Sequence, residues 1–369
     1  MPHNLYAETL LTPGLGVPIV WRYQNQAQYL IDLLDPDSPV CSALSQAIDR
    51  YGDTFFELAP NKKTLIEWAN SQNTLVDTAD VRELRLGGAH VFQQAIELFQ
   101  GLQMMVERED DTVKWSAIHH NIGDVMGFIG QRSGSSHFLE QAAMSYEQAL
   151  EERTFEQTPF EWGITQYNFG VALQTLGQLE DDLNLLKQAG EIYKQASTAL
   201  KREEHPEDWA AALLSVGNVL CLLGVHRRGP RTLEQAVVVM RNAMVERTPD
   251  KSPFGWAITQ NNLAVALQSL GTHEEDIQSL EESIPIYDAT LKALPKDDVP
   301  MMWAMVTANR ASAMHALAEE SDYVDMALMA ATEFDEVARL FASVELSSYQ
   351  QLAEERKEQS EALVKLLQV

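Results

Sequence analysis

The sequence predicts an all-α fold, an α-solenoid of about seven helix pairs that ends in a C-terminal capping helix. Three observations lead to this prediction: a fixed tryptophan spacing, prolines and glycines in the same phase, and an apolar period of helical type. No segment shows the sustained alternation of apolar and polar residues that is typical of a half-buried strand.

The tryptophans define the repeat. All seven lie on one series with a step of 47 residues, which a repeat protein explains and chance does not. They are Trp21, Trp68, Trp115, Trp162, Trp209, Trp256 and Trp303. We expect each to be buried between its own helix pair and the preceding pair, where a tryptophan removes roughly 150–250 Å² from water.

Proline and glycine bound the first helix of each unit, which we call helix A. Proline three residues before the tryptophan suits the first helical turn. Glycine fifteen residues after it suits a left-handed residue that closes the helix. The pattern predicts a helix from about Pro159 to Leu176 and its equivalents. The prolines are Pro18, Pro159, Pro206, Pro253 and Pro300, and the glycines are Gly130, Gly177, Gly224 and Gly271.

A second helix, helix B, follows in each unit. Apolar residues recur 24, 27 and 31 residues after the tryptophan, as at Leu186, Ala189 and Tyr193. This spacing traces one face of a helix with a period of 3.6. Small residues eight after the tryptophan, such as Gly123 and Gly170, are expected to let the two helices approach closely.

The units are arranged as one continuous solenoid. Residues 1–110 contain divergent N-terminal units, residues 111–342 the regular repeats, and residues 343–369 the capping helix, read from about Leu346 to Leu367. The best-matched units are two apart: residues 139–183 and 233–277 are identical at 23 of 45 positions. This alternation indicates a duplicated pair of units.

The regular repeats resemble a known family. The runs that begin Trp162-Gly-Ile-Thr-Gln and Trp256-Ala-Ile-Thr-Gln resemble helix A of tetratricopeptide repeats, in the long-helix bacterial variety. The Leu-Glu-Gln-Ala runs at Leu139 and Leu233 resemble helix B of the same family. The resemblance implies a right-handed superhelix with a concave groove that binds a peptide or protein segment.

An asparagine recurs six residues after the tryptophan in four units. These residues are Asn121, Asn168, Asn262 and Asn309. Asparagine is a mediocre helix former, so its recurrence needs a reason. The family resemblance implies that the four carboxamides hold the backbone of a bound peptide, with Gln166 and Gln260 extending that surface. The alternative is that they bond a neighbouring helix or turn within the array.

Arginine recurs near the end of helix B, within the Glu-Arg-Thr sequence that holds Arg153 and Arg247. A positive charge there complements the helix dipole, and we favour this capping role over binding of a peptide carboxylate. His119 and His120 are adjacent, so they diverge on a helix and do not form a metal pair by themselves.

The sequence predicts no catalytic residue, no metal site and no cofactor. It lacks His-Glu-x-x-His and Gly-x-Ser-x-Gly. Its two cysteines, Cys41 and Cys221, are 180 residues apart, match no metal spacing and favour a reducing cytoplasm. The N-terminal residues do not resemble a secretion signal, and no apolar run reaches the ~18–20 residues of a membrane span.

The chain is strongly acidic, with 54 Asp and Glu residues against 27 Lys and Arg and a formal net charge of -27. This charge disfavours nucleic acid and anionic membranes and favours a basic partner. The prediction is a non-enzymatic scaffold that binds a protein or peptide. Two alternatives stay open: a signal receptor for a short peptide or small molecule, and a structural protein that self-assembles into a homo-oligomer.

Overall fold

A computed structural model describes residues 107–368, apart from residues 228, 275, 295, 297–299 and 344–346. The predictions for residues 1–106, including Trp21, Trp68, Cys41 and the divergent N-terminal units, lie outside the described residues. Within the described part, every regular element is an α-helix, which confirms the all-α prediction.

The helices follow the predicted pairs. A long helix A of 21 or 22 residues alternates with a helix B of 14 to 20 residues. They are α1 (Thr112–Ser133), α2 (Ser136–Leu150), α3 (Pro159–Leu179), α4 (Leu183–Ala199), α5 (Pro206–Arg227), α6 (Pro230–Ala243), α7 (Pro253–Glu274), α8 (Ile277–Ala293), α9 (Pro300–Ser321), α10 (Val324–Ser343) and α11 (Ser347–Leu367).

The chain divides into two compact units within α5, between Val219 and Leu220. Of the described residues, 107–219 form part of the first unit and 220–368 part of the second. In the first, α1 packs on α2, α2 on α3 and α3 on α4; in the second, each helix from α6 to α10 packs on the next. This stacking of consecutive helices confirms the solenoid type. The handedness of a superhelix stays a prediction.

Helix A and helix B are buried in different ways. Residues 163–174 of α3 are buried without interruption, so this helix A is enclosed on all sides. Helix α4 buries one face, which includes Leu186, Ala189 and Tyr193. The helical period of the apolar residues can therefore be recognised in the sequence of helix B, which buries one face. It cannot be recognised in helix A, because that helix is buried on all sides.

The glycine eight residues after the tryptophan makes room for the tyrosine of helix B. A Cβ atom added to Gly123 would lie 2.6 Å from Cε1 of Tyr146, and one added to Gly170 would lie 2.8 Å from Cε1 of Tyr193. Both distances are shorter than carbon atoms tolerate. The predicted close approach of the two helices is confirmed at these positions.

The glycine fifteen residues after the tryptophan does not close helix A, so that prediction is wrong. Gly177 lies inside α3, which continues to Leu179. In the described residues, left-handed backbone occurs nineteen residues after the tryptophan, at Gly134, Asp181 and Asp322.

Close packing against helix B explains these glycines instead. A Cβ atom on Gly271 would lie 2.6 Å from Cγ of Leu280, and one on Gly224 would lie 2.8 Å from Cγ of Leu233. Glycine is needed at these positions because a larger side chain has no space there, whereas the backbone itself is helical.

The five described tryptophans are half-buried rather than buried, which corrects another expectation. In four units, the residue seven positions earlier contacts the indole ring: three cations lie over its face, and Phe155 meets Trp162 edge-on. The pairs are Arg108 with Trp115 at 5.0 Å, Arg202 with Trp209 at 5.1 Å, Lys296 with Trp303 at 4.5 Å, and Phe155 with Trp162 at 5.6 Å between ring centroids. Each of these four tryptophans therefore connects the loop before helix A to the helix itself.

The predicted capping helix is confirmed as α11, which packs on α10. Its Ala353 joins a buried cluster with Val337 and Phe341 of α10 and Ala304 of α9. The cluster covers the last helix pair.

Helix α5 is, by length and composition, apolar enough to cross a membrane. However, 67% of its most apolar window is buried inside the protein. Such burial is typical of a core helix.

Candidate functional site

The predicted peptide-contacting residues lie on the A helices. All four asparagines are buried, with exposed fractions of 4% for Asn121, 7% for Asn168 and 1% each for Asn262 and Asn309. Gln166 is also buried, and Gln260 is partly exposed. The asparagines therefore face other parts of the array, and their bonds differ between the two units.

In the first unit, Asn168 of α3 bonds Asp124 of α1. Its Nδ2 donates to Oδ1 of Asp124 at 2.8 Å. The hydroxyl of Tyr146, on α2, donates to the same oxygen at 2.7 Å. All three side chains are buried, so one carboxylate joins three consecutive helices.

His120 extends this cluster on the other side of Asp124. Its Nε2 lies 3.4 Å from Oδ2 of Asp124, and its Nδ1 lies 3.1 Å from the hydroxyl oxygen of Thr165. That hydroxyl donates to the carbonyl of Glu161 at 2.7 Å and accepts from Nη1 of Arg153 at 2.8 Å. His120 is fully buried.

Both ring nitrogens of His120 are therefore occupied, Nε2 by the carboxylate of Asp124 and Nδ1 by the hydroxyl of Thr165. The ring joins the carboxylate cluster to the start of α3.

A small cavity opens beside Asp124. It has a volume of about 20 Å³ and is lined by Asp124, Gly127, Gln131, Tyr146, Asn168, Val171 and Ala172. This is enough room for one water molecule. The Oδ1 atom of Asn168 is buried and has no hydrogen-bond partner among the described residues, and the same holds for Oε1 of Gln166.

Gly127 is the reason that the cavity occurs in this pair of helices. Gly127 lies twelve residues after Trp115. At the equivalent positions, α3 has Gln174 and α7 has Gln268. Each glutamine accepts a hydrogen bond from the tyrosine of its own helix B, at 3.1 Å from Tyr193 and 3.0 Å from Tyr287. With glycine at this position, the tyrosine of α2 bonds Asp124 and the space of the glutamine stays open.

In the second unit the asparagines bond one another. Nδ2 of Asn309, on α9, donates to Oδ1 of Asn261 on α7 at 3.0 Å. Nδ2 of Asn261 donates to Oδ1 of Asn262 at 3.2 Å. The result is a chain of three buried carboxamides that links two consecutive A helices.

The arginines of the Glu-Arg-Thr sequences differ from the predicted helix caps. Nη1 of Arg153 donates to Thr165, and Nη1 of Arg247 donates to Thr259 at 3.3 Å. Each threonine lies twelve residues further on, near the start of the next helix A. The arginines thus join one helix pair to the next.

The described cysteine, Cys221, is buried and reduced. Burial raises the pKa of its thiol to about 12, so it stays protonated at neutral pH. In residues 107–368, as far as they are described, no group of three or more His, Cys, Asp and Glu side chains is close enough to hold a metal ion.

Three polar partners were not predicted from the sequence: Asp124, Tyr146 and Asn261. Asp124 follows His120 by four residues, a spacing that places both on one face of a helix and was available as a signal. Asn261 precedes Asn262 directly. Tyr146 was predicted only as a core residue, because the tyrosine series follows the apolar face of helix B.

Residues 256–293, which comprise most of α7 and all of α8, match the tetratricopeptide repeat family. The chain carries tetratricopeptide-like repeats. The match confirms the resemblance that the sequence shows. Repeats of this family generally mediate protein–protein interaction and are typically non-enzymatic.

Comparison with solved structures finds a "Circular tandem repeat protein with novel repeat topology and enhanced subunit contact surfaces". The similarity covers 97% of this chain and 98% of that chain, with 13% sequence identity and a TM-score of 0.31. No curated protein matches the chain.

Proposed function

We propose that this tetratricopeptide-like protein is a non-enzymatic scaffold that binds a peptide or protein segment in a concave groove. The observation that carries the proposal is the match of residues 256–293 to a family of interaction repeats. The same helix pair recurs along the described chain, so a partner would meet several similar units.

The acidic charge supports a basic partner. With a formal net charge of -27, the chain attracts cationic segments and repels phosphate backbones and anionic lipids. We therefore propose a basic protein or peptide as the partner, and neither nucleic acid nor membrane. The scarcity of cysteine supports a cytoplasmic setting.

The six residues that the sequence singled out differ in what they offer a ligand. Asn309 and Asn262 take part in a chain of carboxamides, which uses up part of their bonding capacity. Asn168 and Gln166 each keep a side-chain oxygen that has no partner among the described residues. Both oxygens are closed off from solvent, so we propose Gln260, which is partly exposed, as the ligand contact among the six.

Affinity capture tests the scaffold function. The full chain is used as bait in lysate of its source organism, beside an unrelated folded protein of similar size and net charge. Washing in 0.5 M salt removes proteins that are held only by charge. Each recovered protein is then purified and titrated against the chain by calorimetry.

A protein that binds the purified chain with 1:1 or another fixed stoichiometry, and not the acidic control, is the expected result. If no recovered protein binds directly, the scaffold proposal is wrong. Recovery of the chain alone, together with concentration-dependent light scattering, would favour self-assembly. A metabolite or short peptide that binds without a protein partner would favour the receptor alternative.

A further inference from the structure

We propose that the exposed face of α10, around Leu328 and Met329, is a docking surface for a basic amphipathic segment of a protein partner. This surface is a contact in addition to the concave groove. The inference rests on the proposed scaffold function, which supplies the protein partner. The surface lies wholly in the second unit.

Two large apolar side chains are exposed next to each other on α10. The exposed fraction is 55% for Leu328 and 49% for Met329. Asp325 and Thr332 are exposed on the same face, since each is three or four residues away from both. The hydroxyl of Thr332 donates to the carbonyl oxygen of Leu328 at 2.9 Å, so it is already bonded within the helix. The centre of this face is therefore apolar.

The other described B helices keep the two equivalent positions polar. These positions lie 25 and 26 residues after the tryptophan, and they hold Glu140 and Gln141 in α2, Lys187 and Gln188 in α4, Glu234 and Gln235 in α6, and Glu281 and Glu282 in α8. A single exposed leucine needs no explanation, because folded proteins expose many apolar atoms. Two adjacent apolar residues at positions that four other helices keep polar indicate an interaction surface.

Packing within the array does not explain these two residues. Ala330 and Phe334 of α10 belong to the buried cluster that α10 shares with α9. Val337 belongs to the cluster that Ala353 of α11 joins. Leu328 and Met329 belong to neither cluster and lie on the opposite face of the helix. Their apolar surface is therefore available to another molecule.

The charges near this face are acidic. From residue 311 to residue 338 the chain has seven Asp and Glu residues and no Lys or Arg. Glu319, Glu320 and Asp322 are exposed just before α10, and Asp325 is exposed in its first turn. A segment that carries lysine or arginine beside its apolar residues is complementary to this combination.

The same charge disfavours a second copy of this chain as the occupant. In a two-fold dimer through this face, the same patch of each copy would meet, so that Asp325 would approach the carboxylates of the other copy. Each copy also carries a formal net charge of -27. Because like charges placed opposite each other oppose association, the surface favours a partner of opposite charge.

The arrangement suits a helical segment. The residues of the face follow one another at intervals of three and four, which forms a ridge along α10. An amphipathic helix can pack its own apolar residues, spaced in the same way, against such a ridge. Lysine or arginine at the margins of the apolar stripe would then lie near the exposed carboxylates.

The test uses a peptide of about 14 leucine and lysine residues in helical amphipathic spacing, and a control peptide in which serine replaces leucine. The full chain, with ¹³C-labelled methionine methyl groups, is titrated with each peptide in 0.15 M salt and followed by NMR. Met144 of α2 is the internal control, because its exposed fraction of 55% is similar to that of Met329, whereas its neighbours Glu140 and Gln141 are polar. We expect a saturable shift of the Met329 methyl signal with the leucine peptide, and no such shift of Met144.

Two double variants test the same site by calorimetry. Leu328→Gln with Met329→Gln makes both positions polar, as in the other units, and keeps the net charge; it should weaken peptide binding about tenfold or more. Met144→Gln with Val238→Gln removes two apolar residues of similar exposure on α2 and α6 and should change the affinity less than about twofold. All four positions are exposed, so both variants should fold, which circular dichroism checks.

Several outcomes would overturn the docking surface. They are the absence of a saturable shift of Met329 in the wild-type chain, equal shifts of Met144 and Met329, equal binding of the serine peptide, and undiminished binding by the Leu328→Gln and Met329→Gln variant. Sedimentation tests the second copy. A wild-type dimer that becomes a monomer in this variant would make the face a self-association surface and equally contradict the proposal.

Failure of this proposal can be distinguished from failure of the scaffold function. A protein partner from the capture experiment that binds the wild-type chain and the Leu328→Gln and Met329→Gln variant equally well would remove the docking surface and leave the scaffold. Saturable peptide binding at Met329 with no protein partner would leave a site for amphipathic peptides and remove the scaffold.

Discussion

Tyr146 and Asp124 are joined by a buried hydrogen bond of 2.7 Å, in which the tyrosine hydroxyl donates to the carboxylate. The same carboxylate also accepts from Asn168 and pairs with His120. Three consecutive helices therefore depend on one acidic side chain, and the array is expected to be most sensitive there.

Asp124→Ala should lower the free energy of unfolding by about 3–5 kcal/mol, because it leaves the buried polar groups of His120, Tyr146 and Asn168 without their shared partner. Tyr146→Phe removes one hydrogen bond of the same cluster and should cost about 1 kcal/mol. Urea denaturation of both variants, followed by circular dichroism, measures the difference. Similar losses in the two variants would contradict the central role of the carboxylate.

Two glycines in α1 should respond to alanine in opposite directions. Gly123→Ala puts a Cβ atom 2.6 Å from the ring of Tyr146, which should destabilise the protein by about 1–3 kcal/mol. Gly127→Ala meets only ordinary contacts and should stabilise it by about 0.5–1 kcal/mol, because alanine is the better helix former.

Thermal unfolding of the two variants beside the wild-type chain measures this difference. Both substitutions add one methyl group to the same helix, so each is the control for the other. A lower melting temperature for Gly127→Ala would mean that the cavity is closed in solution.

The carboxamide chain of the second unit is expected to be structural. Asn261→Ala leaves Nδ2 of Asn309 without its acceptor and should cost about 1–3 kcal/mol. Its neighbour Gln260 is partly exposed, and Gln260→Ala should change the stability by less than about 0.5 kcal/mol. The denaturation midpoints of Asn261→Ala and Gln260→Ala measure this difference. Equal midpoints would show that the bond to Asn309 contributes little to stability.

His315 should make the second unit sensitive to acid. Burial lowers the pKa of its imidazole below the usual value of 6.5; Glu319 opposes this shift and Arg356 adds to it. The ring also lies 2.9 Å from the hydroxyl oxygen of Ser360 on α11. Because the unfolded chain binds the proton more readily, this contribution to stability is lost as the pH falls below about 6.5.

The measurement is the difference in unfolding free energy between pH 7.5 and pH 5.5, for the wild-type chain and for His315→Asn. Asparagine keeps a polar group near Ser360 and does not titrate. We expect the wild-type chain to lose more stability than the variant over this interval. A smaller loss in the wild-type chain would mean that folding favours the protonated ring.

The sequence allowed the helix pairs, their spacing and the capping helix to be predicted, because each depends on local patterns that recur every 47 residues. The prediction that Gly177 and its equivalents end helix A was wrong, since a glycine that ends a helix and a glycine that makes room for a leucine cannot be told apart in a sequence. The difference depends on a neighbour in space, such as Leu280 beside Gly271.

The candidate site could be predicted only in part. The asparagine series was correctly placed on the A helices, but the burial of its side chains depends on how consecutive helices stack. The cavity was not predictable, because it depends on how Gly127, which has no side chain, packs against residues of two other helices. The cavity is therefore associated with a single position that departs from the repeat, Gly127, and not with the residues that repeat.

The contact between glycine and leucine within each helix pair has a consequence for how the chain folds. Gly130 and Leu139, Gly177 and Leu186, Gly224 and Leu233, and Gly271 and Leu280 are each nine residues apart. Closing so short a loop costs little entropy, and contacts of low sequence separation form quickly. Each hairpin can therefore nucleate by itself and dock on neighbours that were made in the same way, so that an array of this kind grows along its axis.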